Sequence, residues 1–150
     1  MIVRNIPLVV PREKVLVRLR YHQTRSKISE ELDALIDAGI QECTVRAEPQ
    51  LVWHDYNLRH LTEQDIEFDG ANFLIASRDL VRHLVGCYKV TCVICTIGSD
   101  CTDAVMQLVA AGEMTKATIL DAAASEAVET LAQEASRICA CRALHEGAEL

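Results

Sequence analysis

Aromatic side chains are scarce in these 150 residues: two Phe, one Trp and three Tyr, 4% of the chain. The shortage bears directly on one class of function. Residues 1–27 carry seven Lys/Arg against a single acid, Glu13, a local charge of +6. A basic arm of that kind is a candidate grip on nucleic acid. It lacks the interleaved aromatics of a base-stacking platform. Residues 28–150 hold eight bases against 21 acids, a charge of −13, and would repel phosphate. The expectation is no nucleic acid partner, with the basic arm docked on the acidic body and its remaining charges solvated.

Long hydrophobic runs are missing as well. The longest are interrupted by Thr, Lys or Arg, short of the roughly 20 apolar residues that span a bilayer, so no membrane partner is expected. The opening Met1–Arg12 has too short an apolar core for a secretory signal and no small-residue cleavage site, which predicts a cytoplasmic protein. There is no Walker loop, dinucleotide glycine fingerprint, nucleophile elbow or His-Glu-x-x-His. His22, His54, His60, His83 and His145 each stand alone. Taken by themselves, the residues do not indicate an enzyme.

Seven cysteines is an odd number, and without a secretion signal a disulfide framework is not expected. Cys92 and Cys95 have the Cys-x-x-Cys spacing of metal and redox sites. On a strand, residues three apart point to opposite faces, so the pair cannot chelate one ion unless a turn intervenes. Cys139 and Cys141 diverge in the same way on a predicted helix. A ligand set of Cys87, Cys92, Cys95 and Cys101 stays open. The simpler reading is buried thiols acting as small hydrophobes, with no bound metal.

What is present reads as a single α+β domain over residues 1–150, with a helical part at 1–43 and a sheet-and-helix part at 44–150. Length suffices to bury about two-thirds of the unfolded surface. Pro11 predicts a helix from 11 to about 21. Ser26 or Ser29 predicts the cap of a second, with Ile28, Leu32, Leu35 and Ile36 as its apolar stripe, ending at Gly39 or Cys43. From Thr44 the pattern turns extended, and Pro49 argues for an edge or bulge. Asn57–Gln64 reads as a polar connection. Ile66–Phe68 and Phe73–Ile75 flank Asp69-Gly70-Ala71-Asn72 as a hairpin. Ser77 predicts the cap of a short helix closed by Gly86.

The strongest strand signal runs from Tyr88 to Ile97, mostly β-branched and uncharged after Lys89. It reads as the central strand of a largely antiparallel sheet, covered on both faces. The strand stops at Gly98, where backbone and a partner can approach closely. Ser99 then reads as the cap of a helix that Gly112 closes. A final long helix is predicted from Met114 to Leu144, packed on the sheet. Ala117, Leu120, Ala124, Val128, Leu131, Ala135, Ile138 and Cys141 form its stripe, and Asp121, Ser125 and Glu129 an i, i+4, i+8 row beside it.

Three segments resemble one family. Ile75-Ala76-Ser77-Arg78-Asp79-Leu80, Val93-Ile94-Cys95-Thr96-Ile97-Gly98, and the run from Ala117 to Glu129 containing Leu120-Asp121-Ala122 are similar to the activation domain of cobalamin-dependent methionine synthase and its stand-alone relatives. The resemblance implies that domain's fold: an antiparallel sheet, N-terminal helices and a long C-terminal helix. It further implies binding of S-adenosylmethionine and presentation of its methyl group to an oxidised corrinoid. Cobalamin would enter only through a partner, a corrinoid protein or methionine synthase, with a flavodoxin-like electron donor. Glu129, Asp121, Ser125 and Gly98 are the ligand-binding residues implied. Glu129 is the acid expected to face the charged amino acid end of the ligand, with Glu126 turned away.

The family's Arg and Gly-Tyr-Pro motif lies beyond its long helix and is not among the last residues here, Cys141–Leu150. The chain therefore reads either as a piece of a longer protein or as the same fold without part of the site. The second case implies a docking or scaffold protein that binds a corrinoid partner without the small ligand. Corrinoid carriers resemble one another in Asp-x-His-x-x-Gly. Here Val81 stands where the Asp belongs before His83 and Gly86, so His83 reads as structural.

Overall fold

A computed structural model describes residues 2–4, 6–21 and 28–147. It is α+β, with ten elements among those residues: β1 (Ile2–Arg4), α1 (Arg12–Arg18), α2 (Glu30–Arg46), β2 (Gln50–Leu61), β3 (Asp65–Phe68), β4 (Leu74–Ala76), α3 (Arg78–Leu84), β5 (Lys89–Thr96), α4 (Asp100–Ala110) and α5 (Met114–His145). Two compact units divide the chain. One is made of residues 2–51 and 95–150, the other of residues 52–94. The division follows neither the predicted boundary at 43/44 nor any single cut, because the chain leaves the first unit and returns to it.

The first unit is helical and is built on α5, which at 32 residues is about 48 Å long. Its packing partners are α1, α2 and α4, where the sequence predicted a sheet. Small side chains explain the choice: Ala117, Ala122, Ala123, Ala127 and Ala135 are all buried, leaving a low ridge that other helices can approach closely. The approach is close at Gly39 of α2, where an added Cβ would stand 2.6 Å from Ile119 Cγ2. Leu16, Ile36 and Ile119 form the buried cluster there. Of the predicted stripe, Ala117, Leu120, Leu131 and Ala135 are buried, whereas Cys141 is exposed.

Helix ends follow local chemistry. The Ser29 hydroxyl accepts from Leu32 N at 3.3 Å, and the cap alternative Ser26 lies outside the described residues. Helix α2 runs to Arg46, overriding the extended reading of Thr44–Arg46, and the backbone turns extended at Ala47. Thr44 Oγ1 donates to Ile40 O at 2.8 Å, Arg46 pairs with Glu42 at 2.9 Å, and Cys43 is sealed in the core. Ser99 occupies the cap position of α4 but makes no side-chain capping bond.

The second unit is a largely antiparallel sheet with α3. The predicted hairpin is present: β3 pairs antiparallel with β4, Ile66 opposite Ile75 and Glu67 opposite Leu74. Its turn passes through Gly70 at φ +71°. Ile66, Phe68 and Val81 form the core, and the Phe68 ring lies 5.4 Å from Tyr56 and 5.9 Å from Phe73. The Ser77 hydroxyl caps α3 through Leu80 N at 3.3 Å. Val81 is the buried residue of that helix, whereas Leu80 and Val85 are exposed.

Two strand expectations are corrected. Asn57–Leu61 is not a connection but the second half of β2. Asn57 O accepts from Asp69 N at 3.0 Å and Leu58 N donates to Tyr88 O at 2.9 Å, so ladder bonds outweigh weak local propensity. β5 is not the central strand either, because among the described residues it pairs only with β2. None of its residues is buried, and Ile94 is 69% exposed. Strand β2 takes the central place, pairing β3 as well as β5. β-branched composition reports a fit to a pleated surface and says nothing of how many neighbours the strand will have.

Candidate functional site

The residues implied as ligand-binding fall into two groups, all within the helical unit. Asp121, Ser125 and Glu129 stand in one row on α5, Asp121 and Glu129 exposed and Ser125 half-buried. No side-chain hydrogen bond or ion pair joins the three among the described residues. The row spans about 12 Å along the helix axis. Gly98 is at φ +80°, a conformation that favours glycine. The close approach it permits is to Glu48: a Cβ on Gly98 would lie 3.4 Å from Glu48 Cβ. The Glu48 backbone N–H meanwhile donates to Ile97 O at 2.8 Å. Chain geometry at the strand-to-helix junction is therefore sufficient reason for the glycine.

Glu126 was expected to turn away from any site, and it is the buried acid. It is 7% exposed, the one buried charged residue in the described core, whereas Glu129 one turn along is exposed. Helical spacing alone places the two about 60° apart, and the packing of α1 decides which is covered. Arg18 Nε donates to Glu126 Oε1 at 2.5 Å. Lys14 Nζ, one turn earlier on α1, donates to Gln133 Oε1 at 3.1 Å. Arg12 reaches α2 instead, pairing with Asp33 and with Asp37 Oδ1 at 2.8 Å. The Asp37 hydrogen bond, with Asp33 adding to it, holds the Arg12 guanidinium above its ordinary value. Cations of the basic arm thus dock on the acidic body, as the charge distribution led one to expect.

Between α1 and α5 lies an open cleft of about 520 Å³ lined by Glu13, Lys14, Val17, Arg18 and Glu126. Sequence reasoning missed it, since Arg18 and Glu126 are 108 residues apart. One signal was present: an acid set among Ala122, Ala123 and Ala127 has to find a cation, because a small-residue ridge is where another element packs. One turn beyond, Thr130 Oγ1 is sealed from solvent and has no hydrogen-bond partner among the described residues. Such an orphan costs about 1–3 kcal/mol.

The cysteines separate by burial. Cys43 and Cys101 are sealed, Cys95 and Cys139 half-buried, and Cys87, Cys92 and Cys141 exposed, and no disulfide joins any of them among the described residues. Cys101 Sγ lies 3.8 Å from Cys43 O. Burial, reinforced by Cys101, pushes the Cys43 thiol up to about 12. Burial also raises Cys101 and Cys95. Exposure alternates along β5 from Cys92 to Thr96, so Cys92 and Cys95 take opposite faces. No group of three or more His, Cys, Asp or Glu among the described residues is arranged to hold a metal ion, and the set of Cys87, Cys92, Cys95 and Cys101 is not brought together. His83 is an exposed residue of α3 whose Nδ1 lies 2.7 Å from Asp79 O, a helix-local contact.

No helix of the described residues is long and apolar enough to cross a membrane. Compared with known proteins, the chain matches no family model and no curated sequence.

Proposed function

We propose that this chain is an S-adenosylmethionine-binding module that supports reductive remethylation of a corrinoid methyltransferase, as the activation domain of cobalamin-dependent methionine synthase does. The observation that carries the reading is the accessible Asp121, Ser125 and Glu129 row on one unbroken helix. Order along the chain adds support: strand β4 enters a Ser77-capped helix, β5 ends at a left-handed Gly98, and α5 follows. S-adenosylmethionine carries a sulfonium and an ammonium cation, and exposed carboxylates about 12 Å apart suit its amino acid end and its ribose hydroxyls. The corrinoid arrives on its own protein, and the electron comes from a flavodoxin-like donor.

A second reading has its own support. Met106 and Val109 on α4, and Met114 at the start of α5, are exposed, and methionine-bearing surfaces adapt to protein partners. In that case the chain docks a corrinoid protein without the small ligand.

Titration calorimetry with S-adenosylmethionine decides between them. The expected result is saturable binding, weakened roughly tenfold by Glu129→Gln, the loss of one charge-assisted contact of about 1.5 kcal/mol. The unfolding midpoint should not move, because Glu129 is exposed. No binding by the parent chain, with capture of a corrinoid protein retained, selects the docking reading. Loss of both removes the proposal.

A further inference from the structure

We infer that the cleft between α1 and α5 is a binding site for the zwitterionic head of an α-amino acid, with Glu126 taking the ammonium group and Arg18 the carboxylate. The inference does not rest on the reading of the Asp121–Glu129 row. Its starting point is how the ion pair is made. A single hydrogen bond joins the two residues, Arg18 Nε to Glu126 Oε1. Among the described residues, Glu126 Oε2 and the two terminal nitrogens of Arg18 carry no hydrogen bond. Glu126 Oε2 is also not sealed from solvent, since among the described residues the sealed and unpartnered side-chain oxygen is that of Thr130. A carboxylate oxygen and a guanidinium edge are thus presented side by side at the wall of a cleft.

That juxtaposition selects for chemistry. An anion alone meets Arg18 and Lys14 but also faces Glu126 and Glu13. A cation alone meets the two acids but faces the two bases. A molecule with an ammonium and a carboxylate on one carbon satisfies both signs at once, the carboxylate lying across the guanidinium fork. Burial of Glu126 sharpens the preference, because a charge–charge contact gains strength where water is partly excluded. Val17, exposed and lining the same cleft, offers apolar contact to a side chain. The volume of about 520 Å³ falls within the usual range for small-molecule sites.

The test is a ¹⁵N–¹H correlation titration of the full chain with L-methionine as the probe, and with methylammonium and acetate as single-charge controls. Saturable shifts confined to residues of α1 and of α5 around Glu126 are expected for the amino acid. At equal concentration each control should bind at least tenfold more weakly. Glu126→Gln keeps the shape and removes the charge, and it should weaken the amino acid at least tenfold. Arg18→Lys keeps the cation and loses the fork, and should weaken it severalfold with the fold intact. Shifts that do not saturate, shifts elsewhere on the chain, or equal responses to acetate and to the amino acid each overturn the inference. So does Arg18→Lys binding as tightly as the parent.

Discussion

Gly39→Ala is the substitution that tests the helical unit most sharply, because two effects of known size oppose one another. In a helix interior, replacing Gly by Ala gains about 1 kcal/mol from propensity alone, and Gly39 lies well inside α2. Against this, the new methyl would stand 2.6 Å from Ile119 Cγ2, where carbon atoms at rest keep about 3.5–4.0 Å apart. One of two packed helices has to give by about 1 Å, and overpacking of that kind costs about 1–3 kcal/mol, sometimes more. Both residues are buried, so neither can swing into solvent. The expected net effect is a loss of up to about 2 kcal/mol, a fall in melting temperature of up to about 8 °C for a chain of this size. Ile119→Ala removes the offending methyl, so Gly39→Ala made in that background should recover the propensity gain. A double-mutant cycle by urea denaturation should then return a coupling of at least about 1 kcal/mol. If Gly39→Ala stabilises the parent chain by about 1 kcal/mol, α2 does not meet α5 at Ile119 and the packing described here is wrong.

Removing either end of the Arg18–Glu126 pair should be unequal. Arg18→Gln strands a carboxylate that is 7% exposed and should cost about 3 kcal/mol. Glu126→Gln leaves a half-exposed guanidinium free to hydrate and should cost about 1 kcal/mol, and equal losses in chemical denaturation would contradict the burial of Glu126. Ser29→Ala and Ser77→Ala should each cost about 1 kcal/mol, whereas Ser99→Ala, with no capping bond to lose, should leave the midpoint unchanged. Cys43 ionises near 9 when unfolded and at about 12 when folded. Its raised value means that stability is fully present below pH 9 and is lost as pH rises towards 12, where the unfolded chain releases a proton the folded one keeps. Cys43→Ala should flatten the fall in unfolding midpoint over that window, and a slope matching the parent would refute the assignment.

Much of the secondary structure was legible because local chemistry decides it. The caps at Ser29 and Ser77, the Asp69–Gly70 turn between two apolar runs, and the unbroken helix from Met114 are all interactions within a few residues. Such bonds form wherever the rest of the chain goes, so residue type and spacing suffice to predict them. The docking of the basic arm was legible for a related reason, since net charge is additive and the sign of each half could be counted. Ser99 shows the limit: its position was read correctly, but its backbone lies in the helical region at φ −92°, ψ −20°, not in the extended region from which a capping hydroxyl reaches back.

Everything that depends on which surface meets which was settled by packing. Asn57–Leu61 is strand because Asp69 and Tyr88 offer it hydrogen bonds, and β5 is an edge because, among the described residues, it pairs with β2 alone. Thr44–Arg46 stays helical because Cys43 is drawn into the core and Glu42 holds Arg46. The sharpest case is the pair of acids on α5. Glu126 and Glu129 are chemically identical and three residues apart, so periodicity ranks neither above the other. Helix α1, more than a hundred residues away in the chain, brings Arg18 to one of them. Periodicity along one helix carries no information about the partner that covers it, and burial of a charge is decided by that partner alone.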